Sequence, residues 1–186
     1  MPKPTCNSID TYLGQDHIAA LQAMMSEKRY IHSENVFETS MRIADAWSED
    51  YKIDKKALAW ASFFHDCGKE IPKLERERIL AAGPVPYGEE LLNKGKLVHA
   101  PLGAKILNLR YHIDRMDVLQ AVAYHPTGHP DLSPLGWIVY AADYLEPGRV
   151  YFDERERILD TICSNPIQGL CDVTELRVES VLKRGK

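Results

Sequence analysis

Five separate stretches of helical apolar periodicity each carry a histidine or an aspartate in register with their apolar stripe. His32 stands one turn before Val36, and His65 falls in phase with Leu58 and Ala61. His99 opens the run Leu102, Gly103 and Ile106, and His125 continues Val118, Ala121 and Val122. Asp143 follows Leu135, Val139 and Ala142, with Glu146 next on the same stripe. Apolar residues at i, i+3, i+4 and i+7 mark the face of a helix that turns inward. A chain written this way has to bring several ligand-type side chains into one interior. No stretch alternates like a strand, and no internal repeat or linker interrupts the pattern, so the expected class is all-α. At 186 residues the chain is long enough for one domain with a real core.

The punctuation predicts the helices in order. Pro2 and Pro4 make residues 1–8 a loose arm. A helix runs from Asp10 to about Lys28, and a second from about Arg29 to Asp50. Asp54 is the expected N-cap of the third, which ends near Gly68. Pro72 opens a polar helix over Lys73–Ala82, and residues 83–88 form a turn-rich rim. Asp114 or Asp117 is expected to cap the helix that ends at Pro126, and Ser133-Pro134 to start the next. Helices over about 153–164 and 166–183 complete the chain.

The net charge of −4 offers no electrostatic basis for binding nucleic acid or an anionic membrane. No run of 18 apolar residues suggests a membrane span, and the first ten residues carry no run of signal-peptide length. Cys6, Cys67, Cys163 and Cys171 form no CxxC pair. Their spacing excludes the common zinc motifs and fits a reducing cytoplasm better than a disulfide framework.

A single histidine on an apolar face is more often a hydrogen-bonded core residue than a ligand. The His65-Asp66 dipeptide alone means little. The joint pattern is different, because a buried carboxylate needs a cation. Neutral imidazoles with carboxylates are the donor set of divalent and trivalent ions of intermediate hardness. His65 and Asp66 are neighbours, about 100° apart on a helix, but at a helix end both can turn to one ion or to an ion pair.

Here a family resemblance enters. His32, His65-Asp66 and Asp143 match the H…HD…D pattern of the HD-domain metal-dependent phosphohydrolases. Arg29-Tyr30-Ile31-His32-Ser33 resembles the RYxHS entry of the YqeK-like subfamily, and residues 65–69 resemble its HDxxK. His99 to Ala104 is similar to its HxxxGA, and residues 124–128 to its YHTTG. Residues 138–149 resemble its IYLADYIEPGR. The resemblance covers about residues 28–160 of a single HD domain, with further helices over about 153–183. It implies a helical bundle around a central metal site and symmetrical hydrolysis of diadenosine tetraphosphate to two ADP. Iron is the implied cofactor, as one or two ions, with manganese or another divalent metal as the alternative.

Carried over by position, His32, His65, Asp66 and Asp143 are the implied metal ligands. His99 and His125 hold a second metal or the substrate phosphates, and His32 and Asp143 also face substrate. Asn35, Thr127 and Arg149 are placed to reach the nucleotide. Asp66 and Lys69 are the expected catalytic pair: Asp66 orients the nucleophile or bridges two ions, and Lys69 sets a positive charge against the polyphosphate. The bland alternatives are a solvated helix-end lysine for Lys69 and a surface ion pair for Arg149. His129 reads as a loop histidine and Cys67 as a packed thiol. Pro126, His129, Trp137 and Cys67-Gly68 depart from the subfamily's usual residues, and the C-terminal tail is shorter. A nucleotide substrate is the expected partner. A homodimer through the helices bearing Trp47, Trp60 or Trp137 is compatible with the sequence. Other HD phosphohydrolases or phosphodiesterases, an HD-type di-iron oxygenase, and a non-catalytic nucleotide sensor are the competing readings.

Overall fold

The computed structural model describes residues 8–149 and 154–183, and every secondary-structure element among them is helical. The helices are α1 (Gln15–Ala23), α2 (Glu27–Ala46), α3 (Lys55–Phe64), α4 (Lys73–Ala81), α5 (His99–Tyr111), α6 (Met116–Tyr124), α7 (Pro134–Leu145), α8 (Arg155–Ser164) and α9 (Pro166–Lys183). Short 3-10 turns lie at Ile9–Thr11, Glu89–Leu91 and Gly95–Val98. The all-α expectation holds. The arm expected over residues 1–8 lies outside the described residues except for residue 8, as does the expected start of the penultimate helix at residue 153.

α2, α3, α6 and α7 pack on one another, α5 covers α6, and the α8–α9 pair closes over α2 and α7. Their apolar stripes meet in one cluster that includes Val36, Leu58, Phe63, Leu102, Val122 and Val139. Trp47 is buried and donates its indole N–H to the Ile162 carbonyl at 2.8 Å, pinning α2 to α8. Trp60 is buried too, edge-on to His17 and tilted against Phe64 and Tyr111. Both side chains are therefore spent inside the chain.

Local caps follow the sequence where the cap is local. Asp54 accepts from the amides of Lys56 and Ala57, and Ser133 Oγ accepts from Gly136 with Pro134 behind it. Two expectations are corrected. The boundary expected between residues 28 and 29 falls earlier, and the first helix starts later than Asp10: α1 runs from Gln15 to Ala23 and α2 begins at Glu27. The new start is fixed by Glu70, whose carboxylate accepts from the Ser26 amide at 2.6 Å and from Ser26 Oγ at 3.0 Å. That cap comes from 44 residues away, so no local pattern announces it. At α6 the N-cap is Arg115 and neither aspartate. Asp117 sits inside the first turn, where it accepts from the Val118 amide and binds the Arg115 guanidinium.

The rim over residues 83–88 is tied down from two sides. Buried Lys105 donates from Nζ to the carbonyls of Leu80 and Gly83, and the Gly88 amide donates to the Tyr124 hydroxyl at 3.2 Å. No helix among the described residues is long and apolar enough to cross a membrane.

Candidate metal centre

α3 ends at Phe64, with His65 as its C-cap, and the chain then turns through Asp66, Cys67 and Gly68. Leaving the helix there lets the neighbouring side chains point the same way. His32 comes from α2, His99 opens α5, His125 caps the end of α6, and Asp143 lies in the last turns of α7. His65, Asp66, His99, His125 and Asp143 are all buried, and His32 is nearly so.

Asp66 stands at the middle. Its Oδ2 lies 3.6 Å from Nε2 of both His32 and His65. Its Oδ1 lies 3.3 Å from His99 Nε2 and 3.4 Å from His125 Nε2. Asp143 joins the first group, with Oδ1 at 3.3 Å from His32 Nε2 and 3.8 Å from His65 Nε2. Two triads able to hold a metal therefore share one carboxylate: His32, His65 and Asp66, and Asp66, His99 and His125. Within each triad the ligand atoms lie within 4.8 Å of one another.

The donor chemistry fits a cation. His65 Nδ1 sits 2.7 Å from the Ser62 carbonyl, His99 Nδ1 2.6 Å from the Lys96 carbonyl, and His125 Nδ1 2.8 Å from the Val122 carbonyl. A carbonyl only accepts, so in each ring the N–H is on Nδ1 and the Nε2 of the neutral ring offers a lone pair inward. His32 is set the same way by Glu146, whose Oε1 lies 3.1 Å from Nδ1. Yet Nε2 of His32 faces Nε2 of His65 at 3.1 Å, and Nε2 of His99 faces Nε2 of His125 at 3.3 Å. Two lone pairs cannot bond each other; each pair needs a proton or a metal ion between its rings.

The charge states agree. Burial pushes His65 down to about 3 and lowers His125 as well, which favours neutral rings. Burial would raise Asp66, but whenever a facing ring carries a proton, His65 first and then His125 and His99, that charge holds Asp66 well below the usual carboxylate range. Asp143 is also held well below that range, against its burial, by the His32 hydrogen bond and the Arg177 charge. His32 goes the other way: burial lowers it, but the carboxylates of Asp143 and Glu146 outweigh that and raise it. A proton on His32 thus occupies, in the metal-free state, part of the role of a cation.

Four cations surround the carboxylates. Arg29 donates to Asp66 Oδ2 at 2.6 Å, and Lys69 Nζ spans both oxygens of Asp66 at 3.1 and 3.0 Å. Arg149 donates to Asp143 Oδ1 at 2.7 Å and Arg177 to Asp143 Oδ2 at 3.0 Å. Beside His32 opens a cavity of about 570 Å³, lined among others by Arg29, Asn35, Glu146 and Arg149. Asn35 donates to Glu146 Oε2 at 2.9 Å. Thr127 is exposed in the turn after α6 and does not line this cavity. His129 stacks on Tyr124 with ring centroids 4.5 Å apart and caps the Asp131 amide. Cys67 is buried with its Sγ 3.7 Å from the Gly103 carbonyl, and burial pushes its thiol up to about 12.

Sequence reasoning assigned no role to Arg29, Glu146 or Arg177. Glu146 was already in phase with Asp143, and Arg29 lies one turn before His32, so a helical-phase argument could have reached both. Arg177 had no such signal.

The domain-family model for the HD domain matches residues 29–148. A symmetrical bis(5'-nucleosyl)-tetraphosphatase of Bacillus subtilis is 32% identical over 149 residues, which is 79% of this chain and 77% of that protein. A protein of the same description from Halalkalibacterium halodurans is 36% identical over 68% of this chain and 65% of its own length. Among solved structures, a protein of Clostridium acetobutylicum described as a predicted HD superfamily hydrolase involved in NAD metabolism superposes with a TM-score of 0.78. It is 29% identical, over 93% of this chain and 89% of its own. With the match spanning most of the helices that build the centre, the chain belongs to the HD-domain family of hydrolases.

Proposed function

We propose that the protein hydrolyses diadenosine tetraphosphate symmetrically, adding one water across the central anhydride to give two ADP. The observation that carries this is Asp66, whose two oxygens face two separate imidazole pairs in one buried centre. The names of the similar proteins from Bacillus subtilis and Halalkalibacterium halodurans support the substrate.

His32, His65, Asp66 and Asp143 are assigned to one ion, and Asp66, His99 and His125 to a second ion or to the substrate phosphates. Iron is the assigned metal; the nitrogen and oxygen donors suit it and would also take manganese. A bound ion of this kind lowers the pKa of water and polarises a phosphoryl oxygen. The remaining work belongs to the chain. Lys69 and Arg29 neutralise Asp66 and set positive charge beside the polyphosphate. Arg149, which lines the cavity, offers a planar fork for a phosphate. Glu146 holds His32 in the tautomer that turns Nε2 inward. Asn35 lines the same cavity, which falls within the size range of small-ligand sites. Free thiols at Cys67, Cys163 and Cys171 suit the cytoplasmic location assigned here.

The test is product analysis with the purified, metal-loaded protein. ADP as sole product, abolished by Asp66→Ala, is the expected result. AMP with ATP would overturn symmetrical cleavage, and tight binding without turnover under several metals would mean a sensor.

A further inference from the structure

The Asp143 carboxylate is gripped at both oxygens, by arginines of different standing. Arg149 reaches Oδ1 and lines the cavity beside His32. That oxygen is also the one facing His32 and His65, at 3.3 and 3.8 Å. Arg177 reaches Oδ2, at 3.0 Å, from the other direction. It belongs to α9, beyond the residues 29–148 that match the family.

Three observations fix Arg177 in place. Its Nη1 donates to the Tyr140 carbonyl at 2.6 Å, one turn before Asp143 on α7. Its guanidinium lies 4.3 Å from the centroid of the Tyr140 ring and 5.5 Å from that of Tyr144. Its side chain is only 15% exposed, against 35% for Arg149. One planar group thus ties the Asp143 side chain to the backbone of the helix that carries it. With Oδ2 held this way, the Asp143 side chain turns its other oxygen, Oδ1, to the centre.

We propose that Arg177 is a positioning residue of this centre: by holding Asp143 Oδ2 from α9, it dedicates Oδ1 to the ion shared with His32 and His65. The role rests on the assignment of Asp143 as a ligand in the proposed function. Arg149 cannot substitute, because its bond is to the oxygen that a cation needs. A partner behind a ligating carboxylate typically changes metal affinity by about 10- to 100-fold when removed.

Cobalt(II) titration of the chelator-treated protein, followed by visible absorption, tests both levels. Asp143→Asn comes first. If it leaves cobalt affinity and spectrum as in the wild type, the ligand assignment fails. Given that it weakens binding, Arg177→Met is expected to weaken the same bound equivalent by about 10- to 100-fold and to alter its spectrum. Arg177→Lys, which keeps the charge and one donor, is expected to recover part of the loss. Val173→Ala loosens α9 at a fully buried core position and removes no group that bonds to Asp143. It should lower the melting temperature and leave cobalt affinity unchanged. Unchanged affinity and spectrum in Arg177→Met overturn the proposal, as does an equal loss in Val173→Ala. If Arg177→Met does not fold, Arg177→Gln takes its place with the same outcomes.

Discussion

Gly68 lies against the carbonyl of His99 so closely that a Cβ on it would stand 2.3 Å from that oxygen. The same Cβ would meet the Gly103 amide nitrogen at 2.9 Å. This contact seats the turn that carries His65 and Asp66 directly on the start of α5. It is why Asp66 Oδ1 reaches His99 at all. Gly68→Ala must push the two backbones apart, since neither atom belongs to a flexible side chain. We expect a loss of about 1–3 kcal/mol in stability together with weaker metal binding. Chemical denaturation and metal titration of the variant check it; wild-type values in both would show the contact to be slack.

Asp66 serves both triads, whereas His125 serves one. His125→Ala should therefore leave the His32 side able to take metal, and Asp66→Ala should weaken uptake on both sides. Metal content measured on anaerobically purified variants distinguishes them. Equal metal loss in the two variants would contradict the shared-carboxylate geometry.

The metal-free protein should lose stability in acid. His65 is held at about 3, below its ordinary value of 6.5, so its folded form binds fewer protons than its unfolded form between those values. Its contribution is full above about pH 6.5 and fades as pH falls. Asp66 and Asp143, both depressed, act in the same direction below about pH 4. His32 is raised and opposes them: its contribution is full in acid and fades as pH rises through its folded value. Denaturation of chelator-treated protein from about pH 7 to about pH 4 should show falling stability, at up to about 1.4 kcal/mol per pH unit for each proton taken up on unfolding. His65→Gln should flatten that slope; a wild-type profile already flat would contradict it.

Lys105 is buried and donates to the Leu80 and Gly83 carbonyls at the end of α4. Lys105→Met keeps the stem and leaves those carbonyls without their donor. The expected cost is about 1–3 kcal/mol. Hydrogen exchange should localise the loosening to the rim over residues 83–88. Exchange there as slow as in the wild type would show that Lys105 does not hold the rim.

The limits of the sequence are physical. Asp54 and Ser133 cap helices within three residues of themselves, so their roles are visible in the chain. A break between the first two helices was legible, but its place at Ser26 follows from the distant partner Glu70, which no window of sequence contains. Gly68 reads as a helix exit in the sequence; its closer constraint is the backbone of α5, known only once the helices pack.

What the sequence determined by itself was the helical class and the inward phase of His32, His65, His99, His125 and Asp143. Both depend on local periodicity, which a linear chain records directly. Tertiary structure decided how those side chains divide: two facing imidazole pairs around one Asp66 carboxylate, with Glu146 behind His32 and Arg177 behind Asp143. Phase states that a side chain turns inward, but which oxygen meets which nitrogen depends on how separate helices pack. Arg177 lies outside the recognised motifs and 34 residues from Asp143 in sequence, and only the docking of α9 on α7 brings the two together.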